Sequence, residues 1–420
     1  MEEDIDRTLH NHTEKRIKDR LGSIVELAEQ RNKYEAAHDP EVNRALELVR
    51  QFIIKKRRVC YGGTAMNAIL PKEKQFYNPE MDLPDYDFFT PDGTNDIHEL
   101  VKELGKEGFK DVHHRLGIHE GTSKIFVNFV AIADITNISK EVYGIFLSRA
   151  VKRNEMYYTD PDILRMMMYL EISRPKGMVS RWDKVFDRLQ LINSFFPPKA
   201  GRQVGTTRKR GASTQNEIQG LLYNYCIDNY RILITGALDK YYSVVIRKTT
   251  PNFNLQELTG PIGFLCPDVK ADAKIIQRVL GGPEKCKLLL HKPRGEIVPV
   301  HVEVRYAGVA VAFLLEEAGC HAYLNFPLKD GRSIAIASLD TLITIYYSLA
   351  IFTKRLKELI PGINYKIAQF VKLAEENRRS KNPKIPSFPL SCRGYQKGFA
   401  TLLREKASRV KKAREDVEML

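Results

Sequence analysis

Two neighbouring stretches contain the side chains and backbone that a phosphoryl-transfer site needs. Tyr61-Gly62-Gly63-Thr64 follows a short apolar strand and opens a predicted helix. Two glycines let the backbone approach phosphate oxygens closely, and a helix N-terminus presents unpaired N–H groups to them. Asp85 and Asp87 lie two residues apart in a β-forming run, so both carboxylates should project from one face of a strand. The pattern predicts a magnesium-type metal site beside a phosphate cradle.

A third carboxylate, Asp134, lies near the end of residues 124–135, which the apolar pattern predicts as one long strand. We expect Asp85 and Asp87 to hold a metal ion on the β- and γ-phosphates of a nucleotide. Asp87 and Asp134 would hold a second ion that acidifies an attacking hydroxyl. Asp82 with Asp85 is an alternative pair, but a spacing of three suits a helix, which the intervening proline disfavours.

Four further polar residues flank this predicted site. Thr64 can bond a phosphate oxygen or cap the helix, and the two roles are compatible. Asn67, one turn further in, is predicted to reach the ribose or triphosphate, with a plain surface position as the alternative. Lys152 and Arg153 can neutralise triphosphate charge or form solvated surface.

The histidines and cysteines do not show metal-ligand spacing. Three clustered histidines are predicted to be strand and loop residues: His113, His114 and His119. The cysteines never form a C-x-x-C pair, which predicts reduced thiols in a reducing compartment: Cys60, Cys226, Cys266, Cys286, Cys320 and Cys392.

Length and composition predict a soluble protein of two or three domains. The chain has 420 residues, of which 43% are hydrophobic and 28% charged. No apolar run is long enough to span a bilayer, and the acidic opening is not a signal peptide. These features predict no membrane association.

The positive charge is concentrated near the C-terminus. The net charge is +14, and residues 351–420 contain 17 Lys and Arg against 7 Asp and Glu. Clustered positive charge indicates a polyanionic partner, most commonly nucleic acid, whereas the alternative is a solvated Lys-rich helix.

The chain also shows one clear break. Residues 1–57 are predicted to be helical, and residues 197–214 are basic, rich in Pro, Gly, Ser and Thr, and without apolar periodicity. We interpret residues 197–214 as a linker or mobile loop. Within it, Arg208-Lys209-Arg210 has three readings: a nuclear address, an RNA contact or solvated loop.

The second half repeats the first. Residues 86–104 (YDFFTPDGTNDIHELVKEL) and 262–280 (IGFLCPDVKADAKIIQRVL) both predict a strand, a Pro-Asp turn and a helix. Residues 233–237 match the strand before Gly62-Gly63, and the helix after Asp340 matches that after Asp162. The offset stays at roughly 175 residues, as a duplicated domain requires.

The metal-binding residues are lost in the second copy. Asp85 and Asp87 fall opposite Pro261 and Gly263, which cannot hold a metal ion. The repeat therefore predicts a second domain that keeps the fold without the chemistry.

These motifs resemble the poly(A) polymerase catalytic subunit of nucleocytoplasmic large DNA viruses. The similarity is to the mimivirus-like type and, more distantly, to the poxvirus enzyme. It rests on four segments: Tyr61-Gly62-Gly63-Thr64-Ala65, Asp85-Tyr86-Asp87-Phe88-Phe89, residues 162–175 and residues 392–398.

The resemblance implies an α+β fold. A DNA polymerase β-like nucleotidyltransferase domain would be followed by a second, degenerate nucleotidyltransferase-like domain, with helical N- and C-terminal extensions. The predicted divisions are an N-terminal helical segment, a catalytic domain, a basic linker, a degenerate domain and a basic helical C-terminal region: 1–57, 58–196, 197–214, 215–350 and 351–420.

The resemblance also implies template-independent addition of AMP from ATP to the 3′ end of viral mRNA, with Mg²⁺ or Mn²⁺ as cofactor. By motif position, the metal carboxylates and catalytic residues are Asp85, Asp87 and Asp134. The nucleotide-binding residues are predicted as Gly62, Gly63, Thr64, Asn67 and Lys152.

The implied partners are the single-stranded RNA 3′ end and ATP, with a homodimer or a separate processivity subunit in addition. The implied location is the host cytoplasm at viral factories, and the virion as a second place.

Two rivals remain at this point. One is another nucleotidyltransferase of the same fold, such as a CCA-adding, oligoadenylate-making or uridylyl-transferring enzyme. The other, from a different class, is a non-catalytic RNA-binding protein. The presence of all three carboxylates disfavours the second rival.

Overall fold

The computed structural model describes residues 2–202, 213–234, 238–247, 260–328 and 330–418. The chain divides into two compact units: unit 1 is Met1–Asn137 with Ala150–Tyr158, and unit 2 is Ile138–Arg149 with Thr159–Leu420. The predicted linker at 197–214 lies mostly outside the described residues, and so does its Arg208-Lys209-Arg210 motif. The finer predicted domain boundaries remain predictions.

Unit 1 is a mixed sheet with helices. Its helices are α1 (Glu2–Ala37), α2 (Pro40–Lys56), α3 (Gly62–Ile69) and α4 (Gly93–Lys106). Its strands are β1 (Val59–Cys60), β2 (Tyr86–Thr90), β3 (Val112–Leu116), β4 (Thr122–Val127), β5 (Val130–Asn137), β6 (Val151–Arg153) and β7 (Met156–Tyr158). The sheet order is β3-β4-β5-β2-β1-β7-β6.

One face of this sheet is covered by α2 and α4. Asp39 caps α2 by accepting the N–H groups of Glu41 and Val42, and the helix buries an apolar face that includes Phe52. The Phe52 ring packs against Phe88 of β2, with ring centroids 6.4 Å apart. Because side chains alternate along a strand, the neighbours of Phe88 on β2 point to the opposite face.

The run at residues 124–135 is a hairpin, so the prediction of one long strand is wrong. The chain turns at Asn128 and Phe129, whose φ angles are +48° and +65°. Two consecutive residues with positive φ form the tight turn whose twist matches antiparallel strands. Strands β4 and β5 pair on either side of it.

Unit 2 contains the remaining elements. Its helices are α5 (Lys140–Arg149), α6 (Pro161–Ile172), α7 (Trp182–Phe195), α8 (Ser213–Asp228), α9 (Leu238–Arg247), α10 (Val269–Val279), α11 (Leu339–Phe352), α12 (Lys354–Leu359), α13 (Ile363–Arg379) and α14 (Phe399–Glu418). Its strands are β8 (Ile232–Leu233), β9 (Ile262–Cys266), β10 (Cys286–His291), β11 (His301–Tyr306), β12 (Val309–Glu316), β13 (His321–Pro327), β14 (Ser333–Ala337) and β15 (Cys392–Arg393).

The second sheet repeats the first strand by strand. Its order, β10-β11-β12-β9-β8-β14-β13-β15, is the first order with one added edge strand. Corresponding pairs have the same sense: β2 and β5 are parallel, as are β9 and β12, while β1 and β2 are antiparallel, as are β8 and β9. The predicted α+β fold, with a second domain built on the plan of the first, is therefore confirmed.

Side-chain contacts repeat as well. Arg58 binds Asp96 of α4 through two nitrogens at 2.6 and 2.8 Å, and Arg231 binds Asp272 of α10 at 2.6 and 3.0 Å. Both aspartates are buried. A bidentate, buried pair strongly restricts the geometry between a strand and its helix, so its recurrence indicates that both units preserve one packing plan.

One cysteine prediction is wrong, because Cys320 and Cys392 form a disulfide. They are 72 residues apart in sequence, and the pairing of β13 with β15 brings them together. Cys60, Cys226, Cys266 and Cys286 are buried and not disulfide-bonded. None of the helices among the described residues is both long enough and apolar enough to cross a lipid bilayer.

Candidate active site

Two of the predicted carboxylates lie side by side in the first sheet. Asp87 of β2 and Asp134 of β5 are register partners in a parallel pair. Partners on adjacent strands project from the same face, about 4.8 Å apart along the sheet. Both are half-buried and lie on the face opposite to Phe88. The sheet therefore brings together two acids that are 47 residues apart in sequence.

The glycine turn packs directly against Asp87. Tyr61 N–H donates to the Asp87 carbonyl over 2.9 Å, and α3 begins at the next residue. Gly62 has φ of +70°, and a Cβ there would lie 2.5 Å from Asp87 Oδ2. Only glycine allows both this backbone conformation and this approach. The N-terminus of α3 is thereby held beside a carboxylate of the type that binds metal ions.

Asp85 lies immediately before β2 and is held by its backbone. Its carbonyl oxygen accepts the Asp87 N–H at 3.0 Å and the Thr64 hydroxyl at 2.6 Å. Within the described ranges of the chain, no side chain caps α3. Thr64 thus ties the first turn of α3 to the segment that presents the exposed Asp85 side chain.

Asp134 is ion-paired with Lys124, a contact that sequence reasoning missed. Lys124 Nζ contacts Asp134 Oδ2, and the side chains are 43% and 17% exposed. The two residues are register partners on β4 and β5, and Arg115 of β3 partners Lys124. One row across four strands therefore contains two cations followed by two carboxylates.

An apolar wall adjoins the acids. The Tyr61 ring stacks on Phe89 at 4.1 Å, and its hydroxyl bonds Thr136 Oγ1 at 2.9 Å. Burial raises the pKa of the Tyr61 phenol well above its ordinary value, and the negative charge of Asp87 adds to the effect. Burial likewise raises the pKa of the Cys60 thiol. Both groups stay neutral near pH 7 and act as packing around the acids.

Two predicted nucleotide-binding residues make contacts with other parts of unit 1. Asn67 Oδ1 accepts the N–H groups of Phe76 and Tyr77, at 2.7 and 3.0 Å, and so anchors the segment between α3 and β2. Lys152 is on the outer strand β6, with β7 and β1 between it and β2, and its Nζ lies 5.7 Å from the Tyr157 ring centre. Their predicted nucleotide contacts remain predictions.

The donor set fits a hard divalent cation, because carboxylate oxygens are the preferred ligands of Mg²⁺ and Mn²⁺. Asp87 and Asp134 are adjacent, and Asp85 lies in the segment immediately before β2. Among the described residues, however, no three acidic, His or Cys side chains converge closely enough to hold an ion as they stand. A bound divalent ion would take over from the Lys124 ammonium as the positive charge next to Asp134.

In the second sheet, the corresponding register pair is Gly263 and Phe313. The Phe313 ring occupies the space where a Cβ on Gly263 would project. The equivalent backbone bond is kept, since Ile234 N–H donates to the Gly263 carbonyl over 2.8 Å. The prediction that the second copy lacks the metal-binding residues agrees with this geometry.

Comparison with known proteins gives consistent results. Residues 47–178 match the family model described as "Poly(A) polymerase catalytic subunit". A poly(A) polymerase catalytic subunit of African swine fever virus (isolate Pig/Kenya/KEN-50/1950) is 31% identical over 167 residues, covering 38% of this chain and 35% of that protein. The corresponding protein of Acanthamoeba polyphaga mimivirus is 30% identical over 190 residues, covering 43% of this chain and 31% of that protein.

The aligned part therefore spans about a third of these relatives. Among solved structures, the Megavirus polyadenylate synthase superposes with a TM-score of 0.75 at 19% identity, covering 96% of this chain and 83% of that one. At that identity the likeness shows a shared fold. The matched segment contains Gly62, Asp85, Asp87 and Asp134, and the resemblance to the poly(A) polymerase catalytic subunits of large DNA viruses is thereby confirmed.

Proposed function

We propose that this chain is a template-independent polynucleotide adenylyltransferase that adds AMP from ATP to the 3′ end of viral mRNA. The main supporting observation is the register pairing of Asp87 with Asp134, directly against the glycine turn at Gly62. A phosphate site beside paired metal-type carboxylates on one face of the sheet is what nucleotidyl transfer requires.

The reaction is a displacement at the α-phosphorus of ATP. The RNA 3′ oxygen forms a new bond to the α-phosphorus. The bond from the α-phosphorus to the oxygen that bridges the α- and β-phosphates breaks, and pyrophosphate leaves. The hydroxyl proton passes to solvent water as its oxygen attacks. RNA and ATP thus give RNA extended by one AMP, pyrophosphate and one proton.

The backbone of the glycine turn would bind the triphosphate. Gly63 and Thr64 lie in the first turn of α3, where backbone N–H groups have no hydrogen-bond partners within the helix. These N–H groups and the helix dipole both favour the binding of phosphate oxygens. Gly62 lets this end approach Asp87 closely. Thr64, through its bond to the Asp85 carbonyl, keeps the turn and the acids in one arrangement.

Asp85, Asp87 and Asp134 would hold divalent ions, Mg²⁺ or Mn²⁺. Such ions, when bound, neutralise phosphate charge and lower the pKa of the attacking hydroxyl. Lys124 holds the Asp134 carboxylate in the meantime and limits repulsion between the acids.

The partners follow from the same proposal. The substrates are ATP and a single-stranded RNA 3′ end, and the basic C-terminal region would supply backbone contacts. The relatives are named catalytic subunits, which supports a further subunit; a homodimer and a separate processivity subunit are the two forms we propose. We propose the host cytoplasm at viral factories, and the virion, as locations.

The test is a primer-extension gel with labelled single-stranded RNA, Mg²⁺ or Mn²⁺, and each nucleoside triphosphate in turn. We expect a long ladder with ATP alone. Asp87→Asn should abolish extension and leave RNA affinity largely unchanged, because the neutral amide is a poor metal ligand of the same shape. The matched control is Asp92→Asn, a change outside the carboxylate row.

Other outcomes would change the assignment. Addition of only a few nucleotides, or a preference for CTP or UTP, would favour a different nucleotidyltransferase of this fold. Full elongation by Asp87→Asn would refute the site. Intact RNA binding with no extension under any condition would favour either a binding protein or a missing subunit. Adding an extract of virus-infected cells would distinguish them, because it should restore extension only if a subunit is missing.

A further inference from the structure

The tip of the β4–β5 hairpin contains an aromatic residue in an unfavourable backbone conformation. Phe129 has φ of +65°, and 75% of its surface is exposed. A bulky residue with positive φ is unusual and costs free energy. The equivalent turn of the second sheet is Ala307-Gly308, with φ of +47° and +80°. Glycine adopts this conformation freely, so the first unit keeps an exposed phenyl ring where the second has the less strained residue.

Phe129 contacts a group of side chains on the neighbouring strands β3 and β4. The imidazole of His113 stacks on Phe126, with ring centroids 5.3 Å apart and an interplanar angle of 5°. The Phe129 ring meets His113 edge-on at 6.0 Å. The Arg115 guanidinium lies over the Phe126 ring, 5.0 Å from its centroid. We call these four residues, His113, Arg115, Phe126 and Phe129, the aromatic platform.

The aromatic platform faces the same side as the carboxylates. His113 partners Phe126, and Arg115 partners Lys124, which in turn partners Asp134. Phe126 is two residues from Lys124 and therefore on the same face. By strand geometry, Phe126 and Asp134 are separated by roughly 8 Å between their Cα atoms.

The platform and the glycine turn lie on opposite sides of the acids. In the sheet order, β3 and β4 precede β5 and β2, whereas β1, which leads into the glycine turn, follows them. A nucleotide held at the turn would have its α-phosphate next to Asp87 and Asp134. The side that β3 and β4 occupy lies across the acids from that nucleotide, and it is the side where we place the second reactant.

The charge of this side suits a polyanion with flat, uncharged bases. Lys124 and Arg115 provide positive charge, and both side chains reach solvent. The Nε2 atom of His113 is buried and makes no hydrogen bond within the described part of the chain. In the second sheet, the positions equivalent to His113, Phe126 and Lys124 are Lys287, Arg305 and Glu303, so none of these three positions carries an aromatic ring.

We propose that the aromatic platform binds the last unpaired bases of the RNA strand, with Phe129 as a stacking surface and Arg115 as a backbone contact. This inference rests on the proposed function, because it assigns the binding place of the proposed acceptor strand. Stacking on aromatic rings next to cations is how proteins hold single strands without reading their sequence. A tail-synthesising enzyme needs that tolerance, because its acceptor changes from message sequence to its own product.

The test uses the full chain, without ATP or divalent ions, and a short unpaired oligoribonucleotide with 2-aminopurine as its next-to-last base. Stacking quenches 2-aminopurine fluorescence, so the signal reports this contact independently of catalysis. We expect Phe129→Gly to lose most of the quench and to weaken binding by at least about fivefold, since a stacked base contributes that much or more. Phe129→Trp should restore both.

Stability provides a second readout. Phe129→Gly should raise or maintain the melting temperature, because glycine relieves the left-handed strain. A purely structural role for the ring would lower it. The matched control is Tyr230→Gly, another exposed aromatic residue (64%) with positive φ (+52°), which should change the melting temperature in the same direction and leave RNA binding unchanged.

Unchanged quench and affinity in Phe129→Gly would overturn the proposal, as would failure of Phe129→Trp to restore them. A change in the sedimentation coefficient of Phe129→Gly with intact RNA binding would assign the tip to a protein contact instead. Primer extension on the same preparations separates the two proposals. If the unmodified chain extends RNA and Phe129→Gly changes neither RNA affinity nor the quench, only the platform is refuted. If the quench depends on Phe129 but the chain does not extend RNA, only the proposed reaction is refuted.

Discussion

Gly62→Ala tests whether the glycine turn positions the catalytic carboxylate. The substitution adds one methyl group at a residue with φ of +70°, and that carbon would lie 2.5 Å from Asp87 Oδ2. Two separate costs follow. The left-handed backbone conformation costs a non-glycine residue about 1–2 kcal/mol. The steric overlap requires the carboxylate to move by roughly 1 Å to reach normal van der Waals distance.

The two costs affect different measurements. Backbone strain lowers the free energy of unfolding, whereas movement of the carboxylate lowers the rate of nucleotide addition. A misplacement of about 1 Å in a reacting group typically costs 10²-fold in rate. We therefore expect Gly62→Ala to destabilise unit 1 by about 1–2 kcal/mol and to slow single-turnover primer extension by about 100-fold.

Two glycines of unit 1 provide matched controls. Gly108 has φ of +91° and open space around it, so Gly108→Ala introduces strain without overlap. Gly105 lies inside α4 with open space and no positive φ, so Gly105→Ala should stabilise the helix by about 0.5–1 kcal/mol. Thermal melts and extension rates of the three variants separate strain from displacement.

The reasoning fails if Gly62→Ala extends RNA within threefold of the Gly108→Ala rate while losing the same stability. In that case the close approach of Gly62 to Asp87 would not control the position of the carboxylate.

Three further predictions concern charge, cross-linking and pH. Lys124→Met removes the ammonium that pairs with Asp134. Without divalent ions, thermal melts should show that the free energy of unfolding falls by about 1 kcal/mol or less. Added Mn²⁺ should stabilise this variant more than it stabilises the unmodified chain. Cys320→Ser opens a loop of 72 residues closed by Cys392, and chain entropy gives up to about 4 kcal/mol of lost stability in denaturant titrations of unit 2. His321 is buried and its pKa is lowered to about 3, mainly by desolvation, so the unfolded chain binds a proton near pH 6.5 that the folded chain excludes. Stability should therefore fall as pH decreases from 6.5 towards 3, by about 2 kcal/mol at pH 5, as measured by denaturant titration.

Each of these has its own control. Lys124→Arg should retain the behaviour of the unmodified chain. Reductant should weaken the unmodified chain to the level of Cys320→Ser and leave that variant unaffected, and equal stability of both under oxidising conditions would exclude a stabilising cross-link. His321→Leu should flatten the acid limb of the stability profile; an unchanged limb would show that His321 is protonated in the folded chain. Trp182, the only tryptophan, lies in unit 2 and reports its unfolding.

The local part of the site was predictable from sequence. The strand, the Gly62-Gly63 turn and the Asp85-x-Asp87 spacing lie within the 29 consecutive residues 59–87, and each follows from backbone freedom or strand periodicity. The repeat was also predictable, because a constant offset survives even where individual residues diverge.

The long-range part was not predictable. The pairing of Lys124 with Asp134 depends on a turn that the sequence hides, since Phe129 occupies a position where glycine is the usual signal. If the turn is not recognised, the sequence places Lys124 and Asp134 on one continuous strand. The Cys320–Cys392 bond depends on the pairing of β13 with β15, which no spacing rule indicates.

The Gly263–Phe313 pair has a consequence for the mutations that the second sheet can accept. Gly263→Asp would drive a carboxylate into the Phe313 ring, and Phe313→Asp would bury a lone charge at a position that is 1% exposed. Each single substitution is therefore destabilising, so a carboxylate pair like that of the first sheet cannot be gained here one mutation at a time without a loss of stability.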